Sequence, residues 1–176
     1  MPQKPNTPND TAVIMTEIVM PQHTNPHGSI FGGVIMSWVD IAAGICATRH
    51  CRRDVVTASV DTLHFLSPVK LGWIVTLKAM VNYAGKTSCE VGVRIEAENG
   101  NTGEVFHTAS AYLTMVAMGS NHKPTSIPPL IPKTDTEKAR YEHAKKRITI
   151  RRNLRQAVKD EDNFNLPPSP IRDDDY

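Results

Sequence analysis

The sequence lacks the features that mark several large classes of protein. It has only three cysteines, an odd number without the spacing of a metal site, which indicates reduced thiols in a reducing compartment. The N-terminal segment MPQKPNTPND has no apolar core of a secretory signal, and no apolar run is long enough to span a bilayer. The net charge of +2 favours neither a nucleic-acid-binding protein nor an acidic one. We therefore expect a cytoplasmic protein with no nucleic-acid partner and no membrane insertion.

The most informative segment is Gly33–Thr48, GVIMSWVDIAAGICAT, in which Asp40 is the only charged residue. Its apolar residues cover every face of a helix, and this pattern predicts a helix that is buried in the core of the domain. An ionised carboxylate taken out of water costs several kcal/mol unless it is paired or has a chemical role, and no Lys or Arg stands three or four residues away. Asp40 is thus either a catalytic group or a carboxylate bonded to a backbone amide or a partner chain.

Strand-like runs surround this helix in the sequence. A short β-prone run, Ala12–Val19, precedes it, and four runs follow it: Val55–Leu66, Trp73–Tyr83, Thr87–Ala97 and Glu104–Met118. In the first of the four, Val56, Ala58 and Val60 alternate with Thr57, Ser59 and Asp61. Short glycine-bearing connections predict that the four runs form an antiparallel meander. The plan is an α+β domain over residues 12–118, with a curved antiparallel sheet wrapped around one central buried helix.

The composition changes outside that domain. Residues 1–11 are polar and proline-rich, which predicts a disordered leader. The composition of residues 119–133 predicts a proline-rich linker. Residues 134–162 predict a charged helical arm that is capped by one of its first two residues, and residues 163–176 predict a disordered tail. The sparse apolar positions of the arm favour a surface helix or a partner-binding arm over a helix that binds nucleic acid.

Three segments carry a close resemblance to a known family. They are MPQHTNPHGSIFGGVIMSWVDIAA, the strand VVTASVDTLHFLSPV with the following Gly72, and the turn AGKTS. Together they resemble the acyl-CoA thioesterase (acyl-CoA hydrolase) branch of the hot-dog superfamily. The most specific part is the Gly-Gly pair that Asn-Pro-His-Gly precedes and that Asp40 follows within the helix. The resemblance implies a hot-dog fold and the hydrolysis of acyl-CoA thioesters to free carboxylic acid and coenzyme A.

Each of these residue types suits the chemistry of thioester hydrolysis. Thioester hydrolysis needs an activated water or a carboxylate nucleophile, and donors for the charge that develops on the carbonyl oxygen. Gly32 and Gly33 lie where the helix begins, so their N–H groups are free and the helix dipole adds positive potential there. Asp40 follows two turns later, about 10 Å along the axis, as a general base or a nucleophile. Asn25 is a candidate to position the water or the thioester, and the alternative is a turn or capping residue before Pro26.

Further candidate contacts with the substrate and its coenzyme A moiety lie in the helix, the preceding loop and a tight turn: Ser37, His27, Gly85, Lys86, Thr87 and Ser88. Ser37 comes one turn before Asp40, where it could hydrogen-bond that carboxylate. His23 and His27 are four residues apart, but Pro26 interrupts their loop and no Cys or carboxylate supports them. We therefore expect no metal, and no cofactor other than the coenzyme A of the substrate.

The resemblance also implies an assembly. In the two-domain cytosolic acyl-CoA hydrolases that this chain resembles, the asparagine and the aspartate of one site come from different hot-dog units. This chain carries both in one unit, which implies a homodimer with Asn25 from one subunit and Asp40 from the other, and further assembly into a hexamer, a trimer of dimers. Two other functions remain open: a hot-dog enoyl-CoA hydratase, although the acidic residue of its loop is missing here, and a non-catalytic acyl-CoA-binding sensor.

Overall fold

The computed structural model describes residues 4–61 and 63–162. The chain divides into two compact units after Ile131. The first unit contains five strands and one long helix: β1 (Val13–Ile18), α1 (Gly32–Cys51), β2 (Val55–Val60), β3 (Ile74–Ala84), β4 (Ser88–Glu98) and β5 (Val105–Ala117). The second contains the helix α2 (Asp135–Asp162). No helix in the part of the chain that the structure describes is long and apolar enough to cross a membrane.

The strands form one antiparallel sheet in the order β1-β3-β4-β5-β2. The predicted α+β plan is confirmed, and so is the meander for β3, β4 and β5. The meander is wrong for β2, which pairs with β5 at the far edge of the sheet instead of with β3. The connection of 13 residues between β2 and β3 makes this possible, and its Asp61 and Leu66 N–H groups bond Tyr112 O and Thr108 O of β5. An extended segment of that length reaches about 40 Å, well beyond the three strand spacings of ~5 Å that separate β2 from β3.

The core lies between α1 and one face of the sheet. The sheet contributes alternate residues of its three central strands, each at most 2% exposed: Val75, Leu77, Ala79, Val81, Val91, Val93, Ile95, Ala109, Ala111, Leu113 and Met115. The helix contributes Ile35, Val39, Ala42, Ala43, Cys46 and Ala47. This spacing at intervals of three and four residues places one face of α1 against the sheet.

The opposite face of α1 is exposed within the single chain, so the prediction of a helix buried on all sides is wrong for the chain alone. Met36 and Ile41 are each 48% exposed, Ile45 is 40% exposed, and Asp40 lies among them in contact with solvent. One sheet covers only one side of a helix. An apolar outer face is equally compatible with a core and with a contact surface between subunits, and hydrophobicity alone does not distinguish the two.

The boundaries of the first unit are wider than residues 12–118. Residues 4–11, predicted to be a disordered leader, include a 3-10 helix at Pro8–Thr11, and Asn6 N–H bonds Pro129 O. Part of the predicted linker also belongs to this unit: Ile127 N–H bonds Lys86 O, and Leu130 is buried. Backbone hydrogen bonds therefore hold both segments in place, although their composition is polar and rich in proline. Residues 1–3 and the predicted tail, 163–176, lie outside the described residues.

His50 connects these two segments to the end of α1. Its side chain is fully buried, with Nε2 3.0 Å from Pro128 O and Nδ1 3.5 Å from Asn6 Nδ2. This pair of contacts requires a neutral ring that donates from Nε2 and accepts at Nδ1. Burial lowers the pKa of His50, in agreement with that neutral state.

In the second unit, α2 begins with a capping box. Thr134 Oγ1 accepts a hydrogen bond from Glu137 N–H, and Glu137 Oε2 accepts from the backbone N–H groups of Lys133 and Thr134. The hydrogen bond from the Thr134 backbone holds the pKa of the Glu137 carboxyl below its usual value. The structure thus has a helix over Asp135–Asp162, with Thr134 as its cap.

Candidate functional site

Asp40 and Thr57 form the polar centre of the exposed helix face. Thr57 Oγ1 donates a hydrogen bond of 2.6 Å to Asp40 Oδ1. No other hydrogen bond to the Asp40 carboxylate occurs among the described residues, which leaves Oδ2 open. The hydroxyl that reaches Asp40 thus belongs to Thr57 and not to Ser37, the predicted partner one turn earlier in α1. A short bond between a hydroxyl and a carboxylate is a strong one, and it fixes the orientation of the carboxylate.

The pairing of β2 with β5 places Thr57 on the face toward the helix. Thr57 pairs with Met115, a core residue of β5, and residues that are paired directly across two strands lie on the same face of the sheet. After Thr57 the register shifts, so that Ala58 is the extra residue of a β-bulge. The predicted alternation in this strand is therefore broken at Ala58. No role was predicted for Thr57, and its only signal in the sequence is its place in the segment VVTASVDTLHFLSPV.

The N-terminus of α1 is open toward a cavity. Its capping residue is Phe31, which makes no side-chain capping hydrogen bond. A mostly apolar cavity of about 350 Å³ borders the first turn, lined by Ser29, Ile30, Gly32 and residues 65–69. A Cβ on Gly33 would lie 2.6 Å from the Phe31 ring, closer than real Cβ contacts. Gly32 and Gly33 therefore present a donor-rich helix end to a pocket that is large enough for part of a ligand.

Asn25 lies in the loop beside this pocket and is held in a turn. Its Oδ1 accepts a hydrogen bond of 2.9 Å from His27 N–H, and its Nδ2 donates to Ser29 Oγ at 3.1 Å. This is the Asx-turn geometry that was the alternative to a direct role in catalysis. The turn holds the amide next to a residue that lines the pocket, because Ser29 is one of the lining residues.

The turn between β3 and β4 lies at the other end of the sheet. Thr87 O accepts from Ala117 N–H at the end of β5, whereas the segment beside the pocket bonds Thr108 near its start. Nine residues of strand separate these positions, about 30 Å at ~3.3 Å per residue. One chain therefore does not bring the turn Gly85–Ser88 close to Gly32. Asp40 and Thr57 are nearer the turn, since Thr57 pairs with Met115.

The two histidines of the loop are not placed as metal ligands. His23 Nδ1 accepts from Met20 N–H, and its ring packs edge-on against Trp38 with centroids 5.2 Å apart. His27 is exposed. Within residues 4–61 and 63–162, no three His, Cys, Asp or Glu side chains are grouped as a metal site requires. The three cysteines are free and buried, and burial raises the pKa of Cys46 to about 12, so its thiol is protonated and unreactive.

Residues 27–104 match the family model of the thioesterase superfamily. The uncharacterized acyl-CoA thioester hydrolase YkhA of Bacillus subtilis is 40% identical over 147 residues, which are 84% of this chain and 86% of that protein.

Solved structures agree with this match. The acyl-CoA hydrolase of Staphylococcus aureus, in complex with butyryl coenzyme A, coenzyme A and coenzyme A disulfide, superimposes with a TM-score of 0.84 and 36% identity over 90% of this chain and 97% of that chain. It has also been solved with alanine at an asparagine, an aspartate or a threonine, which follow one another at intervals of 15 and 17 positions. A hexameric acyl-CoA thioesterase matches with a TM-score of 0.83 and 36% identity over 86% of this chain and 97% of that chain. The predicted hot-dog fold is thereby confirmed.

Proposed function

The chain belongs to the thioesterase superfamily, and from this premise we propose that it hydrolyses acyl-CoA thioesters to a free carboxylic acid and coenzyme A. The observation that carries the proposal is the pair of Asp40 and Thr57, joined by a 2.6 Å hydrogen bond on the exposed face of α1. Asn25, Asp40 and Thr57 follow one another at intervals of 15 and 17 positions, the same intervals as the three residues replaced in the S. aureus enzyme. The residue types match as well.

The reaction needs only groups that this site provides. Asp40, oriented by Thr57, takes a proton from a water whose oxygen attacks the thioester carbon, or attacks that carbon itself as a nucleophile. The charge that develops on the carbonyl oxygen is stabilised by the free N–H groups of Gly32 and Gly33. The tetrahedral intermediate then expels the thiolate of coenzyme A, which takes up the proton. In the nucleophilic route the product of this step is an acyl-aspartate anhydride, and a water then hydrolyses it to the free acid and supplies the proton of the thiol. No cofactor enters these steps, so dialysis against a chelator should leave kcat unchanged.

A second copy of the chain completes the site. Gly33 and Asp40 are seven residues apart on one helix, about 10 Å along its axis. A thioester carbonyl, with direct contacts of ~3 Å at each end and a bond of ~1.2 Å, spans about 7 Å. The amides and the carboxylate of one α1 are therefore too far apart for Asp40 to attack the thioester carbon directly, and within one subunit only an intervening water would bridge the ~10 Å. A homodimer that sets two α1 helices side by side brings the amides and Asn25 of one subunit to Asp40 of the other.

The surface of the single chain supports this dimer. The exposed face of α1 is apolar around Asp40, and the edge strand β2 adds Val60, which is 44% exposed and is paired with the core residue Leu113. A contiguous exposed apolar surface of this kind marks a contact site between proteins. The outer edge of β2 has no strand partner among the described residues, so two sheets can join there. Since a similar thioesterase is hexameric, we propose that three such dimers assemble into a hexamer.

The proposed dimer also gives the remaining candidate residues a place near the substrate. The turn Gly85–Ser88 lies at the end of the sheet nearer Asp40, where Lys86 and the backbone N–H groups of the turn can bind the phosphates of coenzyme A. His27, exposed in the loop of Asn25, and Ser37, exposed on α1, face the same cleft once the subunits join. A cytoplasmic location remains a prediction.

The test is the substitution Asp40→Asn, assayed on a panel of acyl-CoA thioesters. The substitution keeps the shape of the side chain and removes its basicity, so kcat should fall about 10²-fold or more while the protein stays folded. Asp54→Asn is the matched control, because it makes the same exchange at an exposed carboxylate just beyond α1 to which no role in the site is assigned. Hydration of an enoyl-CoA, or binding of acyl-CoA with no turnover by the wild type, would favour one of the two alternative functions instead.

A further inference from the structure

The cavity beside the N-terminus of α1 is apolar and held in place by backbone hydrogen bonds. Two of its lining residues, Ile30 and Val69, are only 8% and 2% exposed. Ile30 N–H donates a hydrogen bond of 2.7 Å to Val69 O, and Leu66 N–H bonds Thr108 O, so two segments that line the cavity have a fixed backbone. A pre-formed cavity with this lining favours a hydrophobic group over a polar or charged one.

The ring of Phe65 forms the side of the cavity next to the helix. A Cβ on Gly32 would lie 3.4 Å from Phe65 Cζ and 3.5 Å from Phe65 Cε2, so the edge of the ring lies directly beside the first residue of α1. Phe65 is itself 49% exposed, which means that packing in the core does not depend on its size. The size of residue 65 therefore sets how much space is open beside Gly32.

The proposed reaction determines which half of the substrate enters this cavity. The N–H groups of Gly32 and Gly33 bind the thioester oxygen, and the turn Gly85–Ser88 binds the coenzyme A phosphates. Within one chain that turn lies at the other end of the sheet from Gly32 and nearer Asp40. In the dimer, coenzyme A therefore extends from the carbonyl toward the subunit that supplies Asp40. The acyl group is bonded to the other side of the carbonyl carbon, so it extends into the cavity beside Gly32.

We propose that this cavity binds the acyl group and that Phe65 is the residue that limits its length. This inference rests on the proposed function, whose oxyanion donors place the carbonyl beside the cavity. A volume of about 350 Å³ is at the lower end of the range of ligand pockets, about 300–1,000 Å³, and the Phe65 ring closes one side of it. The preferred substrates are thus coenzyme A thioesters of short, apolar acyl groups. Additional methylenes meet the ring and lose the burial that the first ones gain.

The test is to change the size of residue 65 and to measure kcat/KM for straight-chain thioesters from acetyl-CoA to palmitoyl-CoA. The wild type should prefer the shorter members of this series. Phe65→Ala opens the side of the cavity, so the optimum should move to longer chains. The gain in kcat/KM should be about fourfold for each methylene that the cavity newly accommodates. Phe65→Trp makes the opposite change in size and should move the optimum to shorter chains.

Leu71→Ala is the matched control. Leu71 belongs to the same connection between β2 and β3 and is 51% exposed, but it does not line the cavity, so its removal should leave the order of preference unchanged. Thermal unfolding checks the fold of each variant, and Phe65→Leu is a milder enlargement that replaces Phe65→Ala if the alanine variant does not fold. Folded Phe65 variants with the chain-length preference of the wild type, or with an equal loss of kcat/KM for every chain length, would overturn the role of Phe65 and leave the proposed function intact. A wild type that hydrolyses no member of the series would overturn the proposed function and, with it, the role of Phe65.

Discussion

Replacement of Thr57 by valine should lower kcat while the fold and KM are largely preserved. The variant keeps the branched shape that suits a β-strand but removes the 2.6 Å hydrogen bond to Asp40 Oδ1. A hydrogen bond to a charged group contributes about 1.5–3 kcal/mol, and 1.36 kcal/mol corresponds to a factor of ten in rate. In the open site of a single chain the loss should lie at the lower end, about tenfold. In a dimer that excludes water it should approach 100-fold.

Two control variants locate the effect in the hydroxyl. Thr57→Ser keeps the donor and should retain most of the activity. Thr48→Val makes the same exchange at an exposed position of α1 to which no role in the site is assigned, so it should have almost no effect. Steady-state kinetics on one short-chain acyl-CoA measure all three variants. A Thr57→Val enzyme that hydrolyses the substrate as fast as the wild type, or a Thr48→Val enzyme that is the more damaged of the two, would refute the role of the Thr57 hydroxyl.

Two further predictions concern the parts of the fold that hold the site. A chain that ends at Ile131 should fold. A chain that ends at Ser120 should unfold at a clearly lower temperature, because it lacks Ile127 and the Pro128 carbonyl that His50 contacts. Equal melting temperatures of the two chains would contradict this prediction. Burial keeps His50 neutral in the folded state, so the unfolded state binds one more proton at low pH. The free energy of unfolding should therefore fall as the pH falls from about 6.5 through the lower pKa of the folded state, by up to ~1.4 kcal/mol per pH unit. Denaturant unfolding of wild type and His50→Gln between pH 7 and 5 checks this, with a smaller loss expected for the variant.

The strands and the helix follow from local patterns, and for that reason their types and approximate bounds could be predicted. The runs that predicted β3, β4 and β5 alternate clearly and are joined by short turns, which makes neighbouring strands pair. The position of β2 could not be predicted in this way. It depends on hydrogen bonds between residues that are distant in sequence, such as Leu66 N–H to Thr108 O on β5.

The same distinction applies to the candidate site, where some residues could be predicted from local sequence and Thr57 could not. Asp40, Asn25 and the two glycines stand out because their residue types are unusual for their surroundings or match a family motif. Thr57 does not stand out, because threonine is common in strands and only its pairing with Met115 on β5 places it on the face toward α1. The solvent exposure of Asp40 was missed because an apolar surface that a partner chain covers has the same sequence pattern as a core.

The most direct test of the central claim, a hydrolase whose sites are shared between two subunits, is a complementation experiment. Asn25→Ala and Asp40→Asn subunits are each expected to be inactive, and they are mixed under conditions that exchange subunits, with heterodimers verified by two affinity tags. One of the two interface sites in a heterodimer then combines an intact Asn25 with an intact Asp40. The account predicts that acyl-CoA hydrolysis returns to a substantial fraction of the wild-type rate per heterodimer. Verified heterodimers that remain inactive would contradict it.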